Sequence, residues 1–396
     1  MYQQTIAEVT GFVFPNELDV TWTVMIVLYP YITGLVAGAF IVSSLYHLFG
    51  QQTLKPVARF ALVSSFAFLL FATLPLLLHL GIPERALNIM ITPSSTSAMA
   101  GFGIVYMTYM ALVVVEVWFS MREEIVSRAI QSTGLKAFFF KALALFDLKV
   151  DDRTRDLDHR VVKFLAGLGI PIACFLHGYV GFLFGSIKAN PWWSTPLMFI
   201  IFLLSAIVSG IAVLIFLFYL ISWLRRVEVD RECVQTMANY LWGFMIIAVA
   251  LEMMQVLSIA YEQMAEWEAL EILIHDKLFW SHVVLQLVIG SLIPFILLGI
   301  NSLLRLSQRV RNVLIFSSSV LLLIQVLAMR WNVVIGGQLL SKSFRGYTSY
   351  FPGMWDREGL ILAIVIFTVP FLLLRFFDHL VPLFPADSAI GRGRPR

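Results

Sequence analysis

Four of the chain's seven histidines, His47, His79, His177 and His282, interrupt long apolar runs. An imidazole titrates near neutrality and can bind a metal, relay a proton or hydrogen-bond a carbonyl. In hydrocarbon it is costly unless it has a partner. His177, within "GIPIACFLHGYVGFLFGSIKANPWW" (169–193), lies nearest the middle of its run. Haem b would need two facing histidines at matching depth; His79 and His282 match in depth, but no histidine pair recurs along one helix. Cys174 and His177 are three apart, and two ligands do not make a zinc or iron–sulfur site. The expectation is no metal, haem or cluster in this chain. His177 is either a satisfied core histidine or a ring that works with a diffusible partner, and the second reading leads.

Other polar groups fall at helical spacing. Tyr29, Thr33, Phe40, Ser44 and His47 lie near one face of a first helix, and Phe102, Tyr106, Tyr109, Val113 and Glu116 near one face of a third. A carboxyl group out of water can carry a proton or stay neutral and inert, so Tyr109, Glu116 and His47 form a candidate proton route. A second cluster combines Glu252 and Gln255, His282 and Gln286, and Arg330 and Asn332. Ionisable residues inside a membrane are functional candidates by default. A structural Glu252–Arg330 ion pair is the favoured reading, and a half-channel for protons or ions the alternative.

These residues need elements to hold them, and the composition says which. Of 396 residues, 59% are hydrophobic and 13% charged, against roughly 25% charged in soluble domains. Nine apolar runs reach the roughly 20 residues that cross a bilayer: 20–49, 57–81, 97–121, 162–186, 196–224, 234–261, 279–304, 312–335 and 359–377. A stretch at 134–148 carries Lys136, Lys141 and Asp147 and is expected as an amphipathic surface helix rather than a tenth crossing. With the N-terminus outside and the C-terminus in the cytoplasm, 21 of the 28 Lys and Arg residues fall inside, as the positive-inside rule requires. The net charge of +3 therefore follows topology, not nucleic-acid binding. The N-terminus has no basic region ahead of its first apolar run, so no cleavable signal peptide is expected.

The fold class is an all-α polytopic membrane protein. Residues 1–19 form an extracytoplasmic segment, and 20–186 the first bundle with an inner loop at 122–161. Residues 187–335 form the second bundle, and 336–396 an outer loop, a last span and a cytoplasmic tail.

Several stretches together resemble one family. "WTVMIVLYPYITGLVAGAF" (22–40), "LLLHLGIPERALNIM" (76–90), "KANPWWSTPLMFIIFLLSAIVSG" (188–210) and "RWNVVIGGQ" (330–338) are similar, in order and spacing, to the NrfD or polysulfide-reductase membrane subunits. The variant "FLHGYVGFLFGSIKANPWW" most resembles the form found in the dissimilatory sulfite reductase-associated transmembrane redox complex. The resemblance implies a subunit without haem or cluster that exchanges electrons between membrane quinone (menaquinone or ubiquinone) and an extracytoplasmic ferredoxin-like iron–sulfur subunit, beside other redox subunits such as cytochromes. It implies two four-helix bundles and an extra helix, with a quinone held at the outer ends of the first-bundle helices. Carried over, the candidates are Asp19, Trp22, Tyr31, His79, Arg85, His177 and Tyr179. Some relatives have tyrosine where this chain has His177. The ninth span lies outside the minimal pattern and says nothing about chemistry. Phe175, Tyr179 and Phe182 could flank a ring, or merely pack.

Quinol oxidation releases two protons with two electrons, so a histidine suits the site as proton acceptor. A secondary transporter or ion channel built on Glu252, His282 and Arg330 is the alternative class, and a purely structural anchor the third.

Overall fold

The computed structural model describes residues 9–262 and 266–384. Residues 1–8 and the tail arginines Arg392, Arg394 and Arg396 lie outside the described residues. Among those described, nine helices are long and apolar enough to span a membrane: Val24–His47, Gln52–His79, Ala98–Gln131, Asp152–Gly185, Leu197–Arg225, Arg231–Tyr261, Phe279–Leu303, Gln308–Leu339 and Leu360–Leu380. The stretch at 134–148 yields only a ten-residue helix, Gly134–Leu143.

The first four spans close one ring, in which the first packs on the second and fourth and the third on the second and fourth. Spans five to eight close another, and the fifth joins the two by packing on the first and fourth. The ninth span lies on the second and first, through Phe371 on Phe68 and Phe377 on Phe66. The first span is the axis of the molecule, with every residue from Val24 to Ser44 buried. Its close contact with the fifth span follows from small residues. A Cβ on Gly38 would run into the Gly210 Cα and the carbonyl oxygens of Ala206 and Ile207. Removing side chains is what lets two backbones meet in a bilayer.

Several helix ends differ from hydropathy. The third and fourth spans continue about ten residues past the apolar runs, so much of the expected inner loop 122–161 is helix. Arg122 bonds Asp147 (2.6 Å) and Asp158 (3.1 Å), and Arg155 bonds Glu123 (2.8 Å), tying the extensions together. Asp151 caps the fourth span through the Thr154 amide (2.8 Å) and hydroxyl (2.6 Å), and those bonds hold its carboxyl below the usual range. The second span breaks at Thr73 into Lys55–Ala72 and Leu74–His79, where Pro75 cannot continue the hydrogen-bond ladder. The seventh and eighth spans contain wide i→i+5 turns, Phe279–Leu292 and Asn332–Gly336.

At the N-terminal end, Thr10–Phe12 pairs antiparallel with Arg345–Tyr347. Gly11 is at φ +75°, where any Cβ would strike the Arg345 carbonyl. Glu17 clasps the same segment, accepting from the Ser341 hydroxyl (2.6 Å) and the Lys342 amide (2.9 Å).

Candidate functional site

The end of the first bundle on the N-terminal side gathers polar groups from three distant parts of the chain. His79, the last residue of the second span, has Nδ1 2.7 Å from Glu358 Oε2. The same oxygen accepts from the Thr23 hydroxyl at 2.5 Å, and Thr23 is the cap of the first span. The Tyr350 hydroxyl accepts from the Val24 amide at 3.0 Å, and burial holds its phenol above the usual range. The lipid-facing side of this cluster is the segment between the second and third spans, with Leu80, Ile82, Leu87 and Ile91 exposed. Glu358 stands just before the ninth span. Its carboxylate fixes the orientation of the histidine ring through that contact.

The remaining residues mapped to a quinone divide. Asp19 and Trp22 line a cavity of about 360 Å³ with Asn190, Trp193, Gln338 and Lys342. There Trp22 stacks on Trp193 (5.2 Å) and its amide donates to Gln338 Oε1 (2.9 Å). Tyr31 is buried and gives its hydroxyl to the Leu323 carbonyl (3.2 Å). Tyr179 gives its own to the Ala98 carbonyl (2.8 Å). Arg85 is exposed on the turn Pro83–Arg85.

His177 joins neither group. It is 2% exposed and its Nε2 has no hydrogen-bond partner, while Phe175 and Phe182, offered as flanks for a ring, are exposed. The charged neighbour of His177 is Arg330, which is 1% exposed. Arg330 donates to the Ser205 hydroxyl (2.7 Å) and the Phe202 carbonyl (3.3 Å), with its guanidinium 3.9 Å from the centre of the Phe202 ring. The expected direct Glu252–Arg330 pair does not form. Glu252 instead accepts from Gln286 Nε2 (2.9 Å) and Gln325 Nε2 (3.3 Å). Gln286 in turn accepts from Asn332 Nδ2 (2.7 Å) and lies 3.2 Å from His282 Nδ1. Amide donors satisfy the carboxylate before the guanidinium can reach it. The adjoining cavity, which Gln255 also lines, measures only about 40 Å³.

The two polar stripes of the first bundle face each other, with Tyr29 edge-on to Phe102 (5.6 Å) and Phe40 edge-on to Tyr109 (5.5 Å). Within them Tyr29 Oη, Tyr109 Oη, Ser43 Oγ, both oxygens of Glu116 and Nε2 of His47 are buried without partners. Unsatisfied buried polar atoms are rare, and these six lie along one bundle. His47 opens onto a cavity of about 590 Å³ at the end opposite the N-terminus, lined also by Arg59, Glu123, Glu124, Asp158 and His159.

The model of the family described as "Polysulphide reductase, NrfD" matches residues 14–341. The chain belongs to the NrfD family. Among curated relatives, a selenate reductase subunit of Mesobacillus selenatarsenatis is 36% identical over 204 residues, which are 50% of this chain and 48% of that protein. A putative dimethyl sulfoxide reductase membrane subunit of Halobacterium salinarum is 28% identical over 308 residues, 76% of this chain and 65% of that protein. The matches thus span about half and just under two thirds of those relatives. As an NrfD-family protein with nine membrane-length apolar helices among its described residues, this is a multi-pass membrane protein, and the two relatives are named as subunits of reductases.

Sequence reasoning missed Glu358, Thr23 and Tyr350 at this site. Glu358 is 279 positions from His79, and no periodicity links residues so far apart. The available signal was a carboxylate in the loop directly ahead of an apolar run.

Proposed function

We propose that the chain is the quinone-reactive membrane subunit of a multi-subunit redox complex. Quinol or quinone binds at the N-terminal end of the first bundle, beside His79, reached from the bilayer past the apolar segment 80–91. The observation that carries this reading is the His79 Nδ1–Glu358 contact shared with Thr23. With Nδ1 donating to the carboxylate, Nε2 is the proton acceptor. A quinol that loses two electrons and two protons hands one proton to His79 and the other to water at that end, and both electrons leave to an iron–sulfur subunit docked on the same end. Asp19, Trp22 and Arg85 belong to that docking rim. The excess of Lys and Arg at the other end supports placing the N-terminus outside an inner (cytoplasmic) membrane.

We further assign the unpartnered groups of the first bundle to a proton route. Protons crossing between the His79 end and the opposite cavity by way of Tyr109, Glu116 and His47 make the reaction electrogenic, because the electrons stay at one end. Sulfite-reductase-linked chemistry, suggested by the sequence, and the selenate and dimethyl sulfoxide of the relatives' names would belong to partner subunits. The saturated amides around Glu252 do not favour transport.

The test is quinol oxidation by the assembled complex in membranes. His79→Ala should lower the rate by about 10²- to 10⁴-fold, the usual loss of a general base, and Glu358→Gln by a smaller factor, with the complex still assembled. A wild-type rate in His79→Ala would leave the chain as a structural anchor at this site.

A further inference from the structure

At the end of the molecule opposite the N-terminus, a cavity of about 280 Å³ lies between the second, third and ninth spans and the helix Gly134–Leu143. Its wall is carbon, with Phe66, Val117, Trp118, Phe140, Leu143 and Phe377 among its residues. The indole of Trp118 brings the wall's one side-chain N–H, and that is given to the Leu143 carbonyl at 2.8 Å. A quinone ring or a nucleotide would find no polar partner here. A hydrocarbon chain needs none.

Cations continue the same stripes. On the third span Arg128 follows the lining residue Ile125 by three positions, and on the short helix Lys136 precedes Phe140 by four, so each shares a face with the lining. The short helix starts three residues after the third span ends, which sets both cations at one rim. Arg128 is half-buried and Lys136 exposed. The outer side of this helix is apolar, with Leu135 and Phe138 at 90% and 62% exposure. Beyond it Leu145 and Phe146 take consecutive positive φ angles of 53° and 60°, a costly conformation for bulky side chains, and both remain exposed. Only hydrocarbon outside the protein makes such a surface stable.

We infer that this cavity is a binding site for an anionic phospholipid of the leaflet opposite the N-terminus, one acyl chain filling it and the phosphate resting on Arg128 and Lys136. Basic rims over apolar clefts between spans recognise anionic headgroups in this way.

The test uses the full-length protein in bilayer nanodiscs, with Trp118 as reporter. Fluorescence quenching by brominated-chain lipid is measured in wild type and in Trp118→Phe, and the difference isolates Trp118. Brominated phosphatidylglycerol should quench at a lower mole fraction than brominated phosphatidylcholine, by about fivefold for each rim charge. Arg128→Gln with Lys136→Gln should erase that preference, while Arg128→Lys with Lys136→Arg, a folding control, should keep it. Val117→Phe should remove the Trp118 component by filling the cavity with the rim intact. Glycerol phosphate in solution should not compete, because the acyl chain contributes most of the binding. Equal quenching by the two lipids would reduce the site to ordinary annular contact and overturn the inference. Protection of Trp118 by added long-chain quinone would overturn it too, making the occupant an isoprenoid tail.

Discussion

Arg330 carries a charge where no water reaches it, and its neighbours explain how. Its Nη2 donates to both the Ser205 hydroxyl and the Phe202 carbonyl while its planar face lies on the Phe202 ring; a lysine is a point charge without that face. Arg330→Lys should therefore lower the thermal midpoint of the purified protein, for a loss of about 2 kcal/mol at a desolvated cation–π site. Arg330→Met should cost more, about 3 kcal/mol, because it removes the charge-assisted bonds to Ser205 and Phe202 as well as the ring contact, and Arg330→Met with Glu252→Gln should recover the part that comes from the longer-range attraction to Glu252. A midpoint unchanged by Arg330→Lys would show that the stacking contributes nothing. The sequence made Arg330 and Glu252 visible, as charges in apolar runs, but not the order of their bonds. Gln286 was visible as a member of that cluster and Gln325 was not, and only packing makes them the donors that claim Glu252. In the same way His79 was legible as an intramembrane histidine, whereas Glu358 was not, because its loop gave no pattern connecting it to the second span.

The spans were legible because crossing hydrocarbon demands length and apolarity, both of which a sequence carries openly. Their ends were less so. Hydropathy stops at the first charges, but the third and fourth helices continue, since Arg122, Glu123, Arg155 and Asp158 satisfy one another across the extensions. The first span meets the fifth at Gly38, whose backbone lies against Gly210. Gly38→Leu sets a side chain against backbone that cannot retreat, so it should destabilise by at least about 3 kcal/mol and separate the two bundles, seen as a lower melting point and faster proteolysis of the detergent-solubilised protein. The strand pair at the N-terminal end was not anticipated, because three-residue strands leave no usable alternation. Its clasp predicts a pH effect. Burial pushes the Glu17 carboxyl up, but hydrogen bonds from Ser341 and Lys342 outweigh this and hold it below the usual range. A depressed carboxylate stabilises fully above its unfolded pKa and loses that contribution as pH falls through the folded one. The protection factors of the strand-pair amides, the intrinsic exchange rate at each pH divided by the observed one, should accordingly fall on acidification to that point, and Glu17→Gln should show low protection at every pH without the acid step.

Across the whole molecule, the two bundles hold their buried carboxylates differently. In the second, Glu252, Gln286, Gln325, Asn332 and His282 bond to one another around a cavity of about 40 Å³, an arrangement that fixes helices. In the first, Tyr109, Glu116 and His47 keep atoms without partners, which costs about 1–3 kcal/mol for each group and persists only where something else offsets it. The bundle that tolerates this cost has the His79–Glu358 pair at one end and the 590 Å³ cavity at the other, so the unsatisfied groups lie along the line a proton would take between two sites that can exchange it. Glu116→Gln keeps the size and polarity of the side chain and removes the exchangeable carboxyl proton. In liposomes holding the complete complex, this variant should oxidise quinol at close to the wild-type rate, since His79 is untouched, while the charge moved per electron falls. A structural role for Glu116 would instead lower both together or neither. Unchanged stoichiometry at an unchanged rate would mean that the protons leave from the His79 end without entering the bundle, and the route through Glu116 would have to be abandoned.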